Sequence, residues 1–360
     1  MDKRTRIIAI VAAIAVSAII ISSPSGSIVI PKPDSSQNGT DAVKVIATKL
    51  QKPWALAFFD DKIFLTEKVG HIRVVENGVI SNESVADFHV ADINDAGLLG
   101  ITLHPDFAKN HYMYAYYTYK DGDKLWNKVL RLTIANDKIS DATTILDKIP
   151  GAEFDDGGVI KFGPDNKLYI GTGDATDDNA AQDLNSLAGK ILRLNDDGSI
   201  PSDNPIANSP VYSYGHRNPQ GLAWDNNGNL YETEEGPTKN DEINLIKSGQ
   251  NYGWPNQECN GQKEYQDAKR CYDISIQPAG IVYYTGKLDF NDNLVVASLR
   301  GNALFQMSTG NDTQKIILDG LGRIREVGEG PDGYLYILTS NTDGKGFPDK
   351  NDDKLLRIVK

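Results

Sequence analysis

The segment PDGYLYILT (residues 331–339) joins a tight Pro-Asp-Gly turn to a run of aromatic, leucine and β-branched residues. Turn residues placed directly before such a run are typical of a strand within a hairpin. Earlier segments share this layout, and most of them follow an Asn, Asp or Pro turn: KIFLTE (62–67), YMYAYYT (112–118), KLYIGTG (167–173), NLYET (229–233) and NLVVAS (293–298). The six copies mark a repeated β unit.

The spacing of the copies indicates how the units are arranged. They recur roughly every 40 to 65 residues, which leaves room for several strands per unit and is typical of a β-propeller. Further strand-like runs follow them at 71–75, 129–132 and 190–194. We therefore predict an all-β fold, a six-bladed β-propeller of four-stranded antiparallel blades spanning residues 43–360. The run 354–359 is expected to be an outer blade strand that closes the ring against the N-terminal end of the domain.

The N-terminal segment predicts export. Basic residues come first, residues 7–21 are almost wholly apolar, and small helix-breaking residues follow. This pattern is typical of a signal peptide or short N-terminal membrane anchor (1–22), and the Ser- and Pro-rich residues 23–42 are typical of a flexible linker. We expect a secreted, periplasmic or cell-surface protein. Cys259 and Cys271, which lie close together in one polar stretch, would form a disulfide in an oxidising compartment.

The charge balance excludes one class of partner. The chain has 37 Lys and Arg against 49 Asp and Glu, a formal net charge of −12. An acidic surface of this kind argues against binding to nucleic acid or to anionic lipid. It suits a secreted or surface protein that must stay soluble. Radial repetition would separately bring the loops of all blades to a common axial mouth, where polar residues far apart in sequence can meet.

Several motifs carry a resemblance to a known family. They are GLLG (97–100) with LHPDF (103–107), GHRNPQGL (215–222), EGP (235–237) with DEINL (241–245), and NYGWP (251–255). Together they resemble the soluble glucose/sorbosone (aldose sugar) dehydrogenases, six-bladed quinoproteins that oxidise an aldose at C1 to the lactone by hydride transfer to pyrroloquinoline quinone (PQQ). The resemblance covers about residues 45–360, and it implies PQQ and Ca²⁺ as cofactors and a small sugar as substrate.

The resemblance also implies roles for individual residues. The PQQ carboxylates would be held by arginines, which bind carboxylates bidentately, and the matching arginines are Arg217, Arg300, Arg323 and Arg325. Asn218 matches the family's amide partner, and Asp95 also falls at a position of the cofactor site. Arg300 stands where the family often has lysine, and Asp95 where it has Gln or Glu. Calcium prefers oxygen ligands, and the implied ligands are Gly236 and Pro237 with Glu235 beside them, and for a second ion Asp241, Glu242 and Tyr252.

One departure concerns the chemistry itself. The family places its general base, a histidine, just before a Gly-Gly pair, and this chain has Asp155 in the segment FDDGG (154–158). An ordinary aspartate is a weak base, but burial or repulsion from Asp95 and Asp156 would raise its pKa. Asp155 and Arg217 are therefore the predicted catalytic residues.

Two other functions remain open from the sequence. One is a propeller that binds a sugar, a glycan or a cation without redox chemistry. The other is a metal-dependent hydrolase resembling lactonases, in which the acidic residues hold calcium. The sequence decides neither the sugar nor the electron acceptor, and it leaves both a monomer and a homodimer possible.

Overall fold

The computed structural model describes residues 42–311 and 313–360. The predicted signal or anchor (1–22) and nearly all of the predicted linker lie outside the described residues and stay predictions. Within the described ranges, no helix is long and apolar enough to cross a membrane. These ranges form six antiparallel sheets, so the predicted six-bladed propeller is confirmed.

The strands are numbered along the chain, beginning with β1 (Val43–Ala47). Blade 1 contains β2 (Pro53–Phe59), β3 (Lys62–Glu67), β4 (His71–Glu76) and β5 (Val79–Ile80), with β6 (Ala86–Asp87) also paired to β4. Blade 2 contains β7 (Leu98–Leu103), β8 (Tyr112–Asp121), β9 (Lys124–Ala135) and β10 (Lys138–Gly151). Blade 3 contains β11 (Gly157–Phe162), β12 (Leu168–Thr172), β13 (Lys190–Leu194) and β14 (Val211–Tyr214).

The second half of the ring continues the pattern. Blade 4 contains β15 (Pro219–Trp224), β16 (Leu230–Glu234), β17 (Asp241–Ile246) and β18 (Arg270–Tyr272). Blade 5 contains β19 (Pro278–Tyr284), β20 (Asn293–Ser298), β21 (Ala303–Met307) and β22 (Gln314–Asp319). Blade 6 contains β23 (Ile324–Glu329), β24 (Leu335–Thr339), β25 (Leu355–Ile358) and β1. Helical structure in the described part is limited to α1 (Phe107–Asn110) and a single 3₁₀ turn (Asp178–Ala181).

The repeated segment of the sequence is the second strand of every blade: β3, β8, β12, β16, β20 and β24. In three blades the turn aspartate before this strand accepts a hydrogen bond from a tyrosine hydroxyl on it. The pairs are Tyr169–Asp165 at 3.0 Å, Tyr231–Asp225 at 3.4 Å and Tyr336–Asp332 at 3.1 Å. The turn chemistry and the aromatic residue of the repeat therefore stabilise the same corner of blades 3, 4 and 6.

The ring closes between the two ends of the domain. β1 pairs antiparallel with β25, with Val43 opposite Ile358 and Ala47 opposite Leu355. The prediction that residues 354–359 close the ring is borne out by this pairing, although β25 is the third strand of blade 6 and β1 is the outermost. The predicted disulfide between Cys259 and Cys271 is also present, and it ties β18 to the loop that follows β17.

The innermost strand of each blade begins with an irregularity. The register shifts at the start of β2, β7, β11, β15, β19 and β23. A bulge of this kind twists the strand locally and redirects its side chains. The positions that the ring brings to its axis are thus also those where the backbone departs from regular pairing.

Candidate active site at the axial mouth

Residues at or just before the starts of all six inner strands line one axial cavity. They come from distant parts of the sequence and include Trp54, Asp95, Gly157, Asn218, Gln220, Gln277, Arg323 and Arg325. Such convergence follows from radial repetition, which places equivalent loops around one axis. The predicted site residues Asp95, Asn218, Arg323 and Arg325 are therefore brought together.

Two arginines dominate the positive charge of this cavity. Arg325 lies on β23, and Arg323 is the residue just before that strand. Arg323 is 7% exposed, donates from Nε to Asp343 at 3.0 Å and from Nη1 to Gln277 at 3.2 Å. Arg325 is 9% exposed, donates to the Gln220 side-chain oxygen, and lies 4.7 Å from the centre of the Trp54 ring. Among the described residues, no carboxylate lies within ion-pairing distance of the Arg325 guanidinium.

A buried guanidinium without an ion pair is energetically unusual, because burial disfavours its charged form. Burial accordingly lowers the pKa of Arg325, while Glu235 and Asp95 at longer range oppose the effect. An anionic ligand in the cavity would supply the missing partner. The donor set therefore suits a ligand that carries several carboxylates, as PQQ does.

A rigid hydrogen-bond chain supports this arginine. Asn218 Oδ1 accepts from the Gly157 amide at 3.0 Å and from Gln220 Nε2 at 2.9 Å, and Gln220 in turn accepts from Arg325. Gly157 has a φ of 64°, and a Cβ there would lie 2.6 Å from the Gly173 nitrogen. Both facts require glycine at this position. Asn218, a predicted cofactor residue, thus holds the Gly157 backbone and the Gln220 side chain in place in the cavity wall.

Asp155 and Arg217 form an ion pair next to the axial cavity: neither lines it, but their chain neighbours Asp156 and Asn218 do. Arg217 Nη2 donates to Asp155 Oδ2 at 2.7 Å, and Arg217 Nη1 donates to the carbonyl oxygens of Glu235 at 3.0 Å and Gly236 at 3.2 Å. Three oxygens thus converge on one guanidinium. Burial raises the pKa of Asp155 to about 6, aided by Asp174, and Arg217 opposes that rise. A carboxylate with a pKa near neutrality is suited to accept a proton in catalysis.

An ion pair partly covers the entrance. Lys345 Nζ lies 2.8 Å from Asp95 Oδ1, and both side chains are more than a third exposed. The open space among the lining side chains is about 40 Å³, too small for a three-ring cofactor, so binding one requires lining side chains to move. Surface pairs contribute only about 0–1 kcal/mol, so parting Lys345 from Asp95 adds little to the cost of that movement.

Several lining residues were missed from the sequence. Lys68 donates to the Asn94 carbonyl, and burial lowers its pKa to about 8. Gln277, Asp343 and Lys345 also belong to the cavity, and no strand or family motif marked them. Arg300, in contrast, is exposed and lies outside the axial cavity. It lines an adjacent cavity of about 410 Å³ shared with Arg323.

The predicted calcium ligands fall into two groups. The Gly236 carbonyl accepts a hydrogen bond from the Arg217 guanidinium, so the positive group next to this oxygen is an arginine side chain. Pro237 lines a separate small cavity together with Glu242 and Tyr252. The Glu235 side chain accepts from Gln277 Nε2 at 2.5 Å, and burial raises its pKa. Calcium at the carbonyl turn therefore requires Arg217 Nη1 to release the Gly236 carbonyl, whereas the Nη2 contact with Asp155 does not involve that oxygen.

The side chains of the second group already have protein partners. Asp241 accepts from the Gly236 amide at 2.9 Å and, through its other oxygen, from the amides of Ile276 and Gln277 at 2.7 Å each. Glu242 accepts from the Cys259 amide at 2.6 Å, and burial, with Glu234 nearby, raises its pKa to about 8. The Tyr252 hydroxyl bonds to backbone groups of Leu245 and Lys247. These contacts stabilise the turn, and a ligand role for the side chains stays a prediction.

A further cluster was missed from the sequence. His216, Glu232 and Glu234 are buried and offer ligand atoms within 4.8 Å of one another. His216 Nδ1 lies 2.9 Å from Glu234 Oε2, and its Nε2 lies 2.8 Å from the Ser213 hydroxyl. Burial, and then Glu234, raise the pKa of Glu232 well above its ordinary value. Both histidine nitrogens are engaged, so His216 chiefly holds the backbone that presents Arg217.

Known proteins share both the sequence and the fold. The family model described as Glucose / Sorbosone dehydrogenase matches residues 50–357. Aldose sugar dehydrogenase YliI of Escherichia coli (strain K12) is 32% identical over 343 residues, covering 84% of this chain and 91% of that protein. Quinoprotein glucose dehydrogenase B of Acinetobacter calcoaceticus is 39% identical over 250 residues, covering 59% of this chain and 52% of that protein. The PQQ-bound aldose sugar dehydrogenase of Streptomyces coelicolor superposes with a TM-score of 0.80 at 36% identity, covering 88% of this chain and 97% of that one.

Proposed function

The chain belongs to the glucose/sorbosone dehydrogenase family, and we propose that it oxidises an aldose sugar at C1 to the lactone, with PQQ as the hydride acceptor. Relatives named as aldose sugar and quinoprotein glucose dehydrogenases support PQQ-dependent sugar oxidation as the general activity. The single observation that carries the proposal is the buried, unpaired guanidinium of Arg325 in the axial cavity.

The residues that would hold the cofactor follow from this charge. Arg323 and Arg325 would bind carboxylates of PQQ, and Asn218 and Gln220 would keep Arg325 oriented. The carbonyl oxygens of Gly236 and Pro237 would contribute to a calcium site. When bound, PQQ supplies a quinone that accepts a hydride, and calcium supplies a Lewis acid that polarises it.

Asp155 would be the general base. It would accept the proton of the sugar C1 hydroxyl while the C1–H bond is broken. Its raised pKa, about 6, keeps it ionised at neutral pH and basic enough to accept that proton. Asp155 is 9% exposed, so little water competes for the carboxylate.

Arg217 would position this base. Its guanidinium holds the Asp155 carboxylate at 2.7 Å and is itself fixed by the Glu235 carbonyl at 3.0 Å, and both contacts leave the Gly236 carbonyl free for calcium. Because the opposite charge stabilises the ionised carboxylate, Arg217 also limits how far burial raises the Asp155 pKa. The pair therefore sets both the geometry and the basicity of the base.

Titration of the purified protein with PQQ in the presence of Ca²⁺ tests the proposal. We expect saturable absorbance changes and dye reduction once an aldose is added. The Arg325→Met variant should bind PQQ at least about tenfold more weakly, as expected for loss of a hydrogen bond to a charged group. Arg131→Met is the matched control, because Arg131 stacks on Tyr112 outside the site. Absence of PQQ binding at micromolar cofactor would refute the proposal. A Ca²⁺-dependent rise in Tm with no effect of PQQ would instead favour a cation-binding propeller.

Export is part of the same proposal. The N-terminal apolar segment of the sequence supports an extracellular, periplasmic or cell-surface location, and the Cys259–Cys271 disulfide is compatible with an oxidising compartment. Fractionation of cells that produce the full chain, followed by N-terminal sequencing, would show whether the segment is removed or retained.

A further inference from the structure

Lys190 is a buried cation that the proposed reaction does not use. It is the first residue of β13 and is fully buried. Its Nζ donates hydrogen bonds to three backbone carbonyl oxygens, those of Ala180 at 2.8 Å, Ala181 at 3.0 Å and Ala188 at 2.5 Å. Three acceptors match the three N–H bonds of an ammonium group. The charged form of the side chain therefore fits this position.

Such a position is energetically costly for a lysine. Within the part of the chain that the structure describes, no carboxylate forms an ion pair with Lys190. Burial lowers its pKa to about 7, and Asp183 at longer range opposes that effect. Lysine is rarely fully buried unless it is paired with an opposite charge. Here the three carbonyl oxygens take the place of a carboxylate, as carbonyl oxygens do around bound metal cations.

The three carbonyls belong to one loop, residues 173–189, which joins β12 to β13. At its start this loop donates two backbone hydrogen bonds. The Asp174 amide donates to the Arg217 carbonyl oxygen at 2.8 Å, and the Ala175 amide donates to the Asp155 carbonyl oxygen at 3.0 Å. Asp155 and Arg217 form the ion pair that contains the proposed base. The 173–189 loop therefore holds the backbone of both partners.

The later part of the loop contacts the same segment. The Ala181 carbonyl, one of the three acceptors of Lys190, also accepts from the Gly215 amide at 3.0 Å. The Gly189 carbonyl accepts from the His216 amide at 3.2 Å. These two amides directly precede the arginine of the ion pair in the chain. A shift of the loop away from Lys190 would therefore also shift the backbone that presents the guanidinium.

We propose that the Lys190 ammonium positions the Asp155–Arg217 ion pair by fixing the 173–189 loop, whose amides bind the backbone of both residues. Lys190 is a positioning residue, because its ammonium bonds to loop carbonyls and the residue does not line the axial cavity. The kinetic part of this inference rests on the proposed function. The structural part depends on neither PQQ nor a sugar.

Two variants separate the charge of Lys190 from its packing. Lys190→Met keeps most of the apolar stem and removes the charge, whereas Lys190→Ala leaves a space that a small cation can enter. We expect kcat with a saturating aldose to fall by about 10- to 100-fold in both, the effect of a displacement of about 1 Å, while KM changes by less than about threefold. Lys120→Met is the control, because Lys120 is exposed on β8.

Added ammonium chloride tests the role of the charge, with sodium chloride at the same concentration as the reference. We expect ammonium to raise the kcat of Lys190→Ala and to leave Lys190→Met unchanged, because the methionine side chain fills the space. The inference is overturned by a wild-type kcat in Lys190→Met. A response to ammonium that is absent from Lys190→Ala, or equal in the two variants, would also overturn it.

Amide hydrogen exchange without PQQ separates this inference from the proposed function. In Lys190→Met we expect faster exchange than in the wild-type protein at the amides of Asp174 and Ala175, with exchange in blades 1 and 5 unchanged. That result in a protein without PQQ-dependent activity would support the positioning role and refute the dehydrogenase. Unchanged exchange in the 173–189 loop would refute the positioning role even in an active enzyme. Equally faster exchange in all blades would also refute it, because Lys190 would then stabilise the whole fold.

Discussion

Replacement of Asp155 by asparagine removes the proposed base and keeps its shape. The new amide oxygen could still accept a hydrogen bond from Arg217, whose Nη2 lies 2.7 Å from the Asp155 carboxylate in the wild-type protein. General-base catalysis contributes about 10²- to 10⁴-fold to a rate. We therefore expect kcat with a saturating aldose to fall by about that factor in Asp155→Asn, while the affinity for PQQ remains within about threefold of wild type.

The pH dependence gives a sharper test of the same residue. With a pKa of about 6, about one-tenth of Asp155 is ionised at pH 5 and about nine-tenths at pH 7. Because the ionised form is the base, kcat of the wild-type protein should rise about tenfold between these values. The rise should be absent from the residual activity of Asp155→Asn.

Stopped-flow reduction of the PQQ-loaded protein by an aldose, followed by absorbance, measures this step directly. Asp106→Asn is the matched control, since Asp106 is an exposed residue paired with Lys109. Asp155→His, which places at this position the histidine implied by the family resemblance, should restore activity relative to Asp155→Asn. The reasoning fails if Asp155→Asn keeps wild-type kcat, or if Asp155→His binds PQQ and is inert.

Three other expectations follow from the contacts. Arg217→Gln should move the midpoint of the kcat–pH profile above 6, because the guanidinium holds down the Asp155 pKa; an unmoved midpoint would contradict the pairing. Burial raises the pKa of Asp156 to about 7, so the folded state binds a proton that the unfolded state releases, and stability falls as pH rises from about 4 to 7. In Asp156→Asn, the free energy of unfolding measured with urea should fall less as the pH rises from about 4 to 7. A fall as steep as that of the wild-type protein would argue against a raised Asp156 pKa. Replacing Cys259 and Cys271 by serine should cost about 3 kcal/mol of unfolding free energy, and reductant should lower the wild-type Tm similarly but leave the variant unaffected.

The fold was predictable because its signal is local. The Tyr336 strand and its Asp332 turn lie within a few residues of each other, and the same is true of the Tyr169 and Asp165 pair. Each copy therefore shows its turn and its buried aromatic residue in one short segment. The exact place of β25 was not predictable, since it depends on a pairing between opposite ends of the domain.

The site was predictable only where a motif carried it. Arg323 and Arg325 were identified by resemblance, and the structure places both in the axial cavity. Gln277 and Lys345 belong to segments without a motif: Gln277 precedes the inner strand of blade 5, next to blade 6, and Lys345 lies in the loop between β24 and β25 of blade 6 itself. Asp241 illustrates a second limit. Its oxygens accept hydrogen bonds from backbone amides, and an aspartate that binds amides has the same sequence signature as one that binds calcium.

The seam between β1 and β25 also determines how the ring responds to force. Val43 and Ile358 are direct partners across this antiparallel pair. A pull applied at these two residues is therefore in the unzipping geometry, in which the hydrogen bonds between the strands break one after another. It is not in the shear geometry, in which all of them bear the load together. A single-molecule pulling experiment with attachment at these two points should detach β1 at low force and leave the other blades folded.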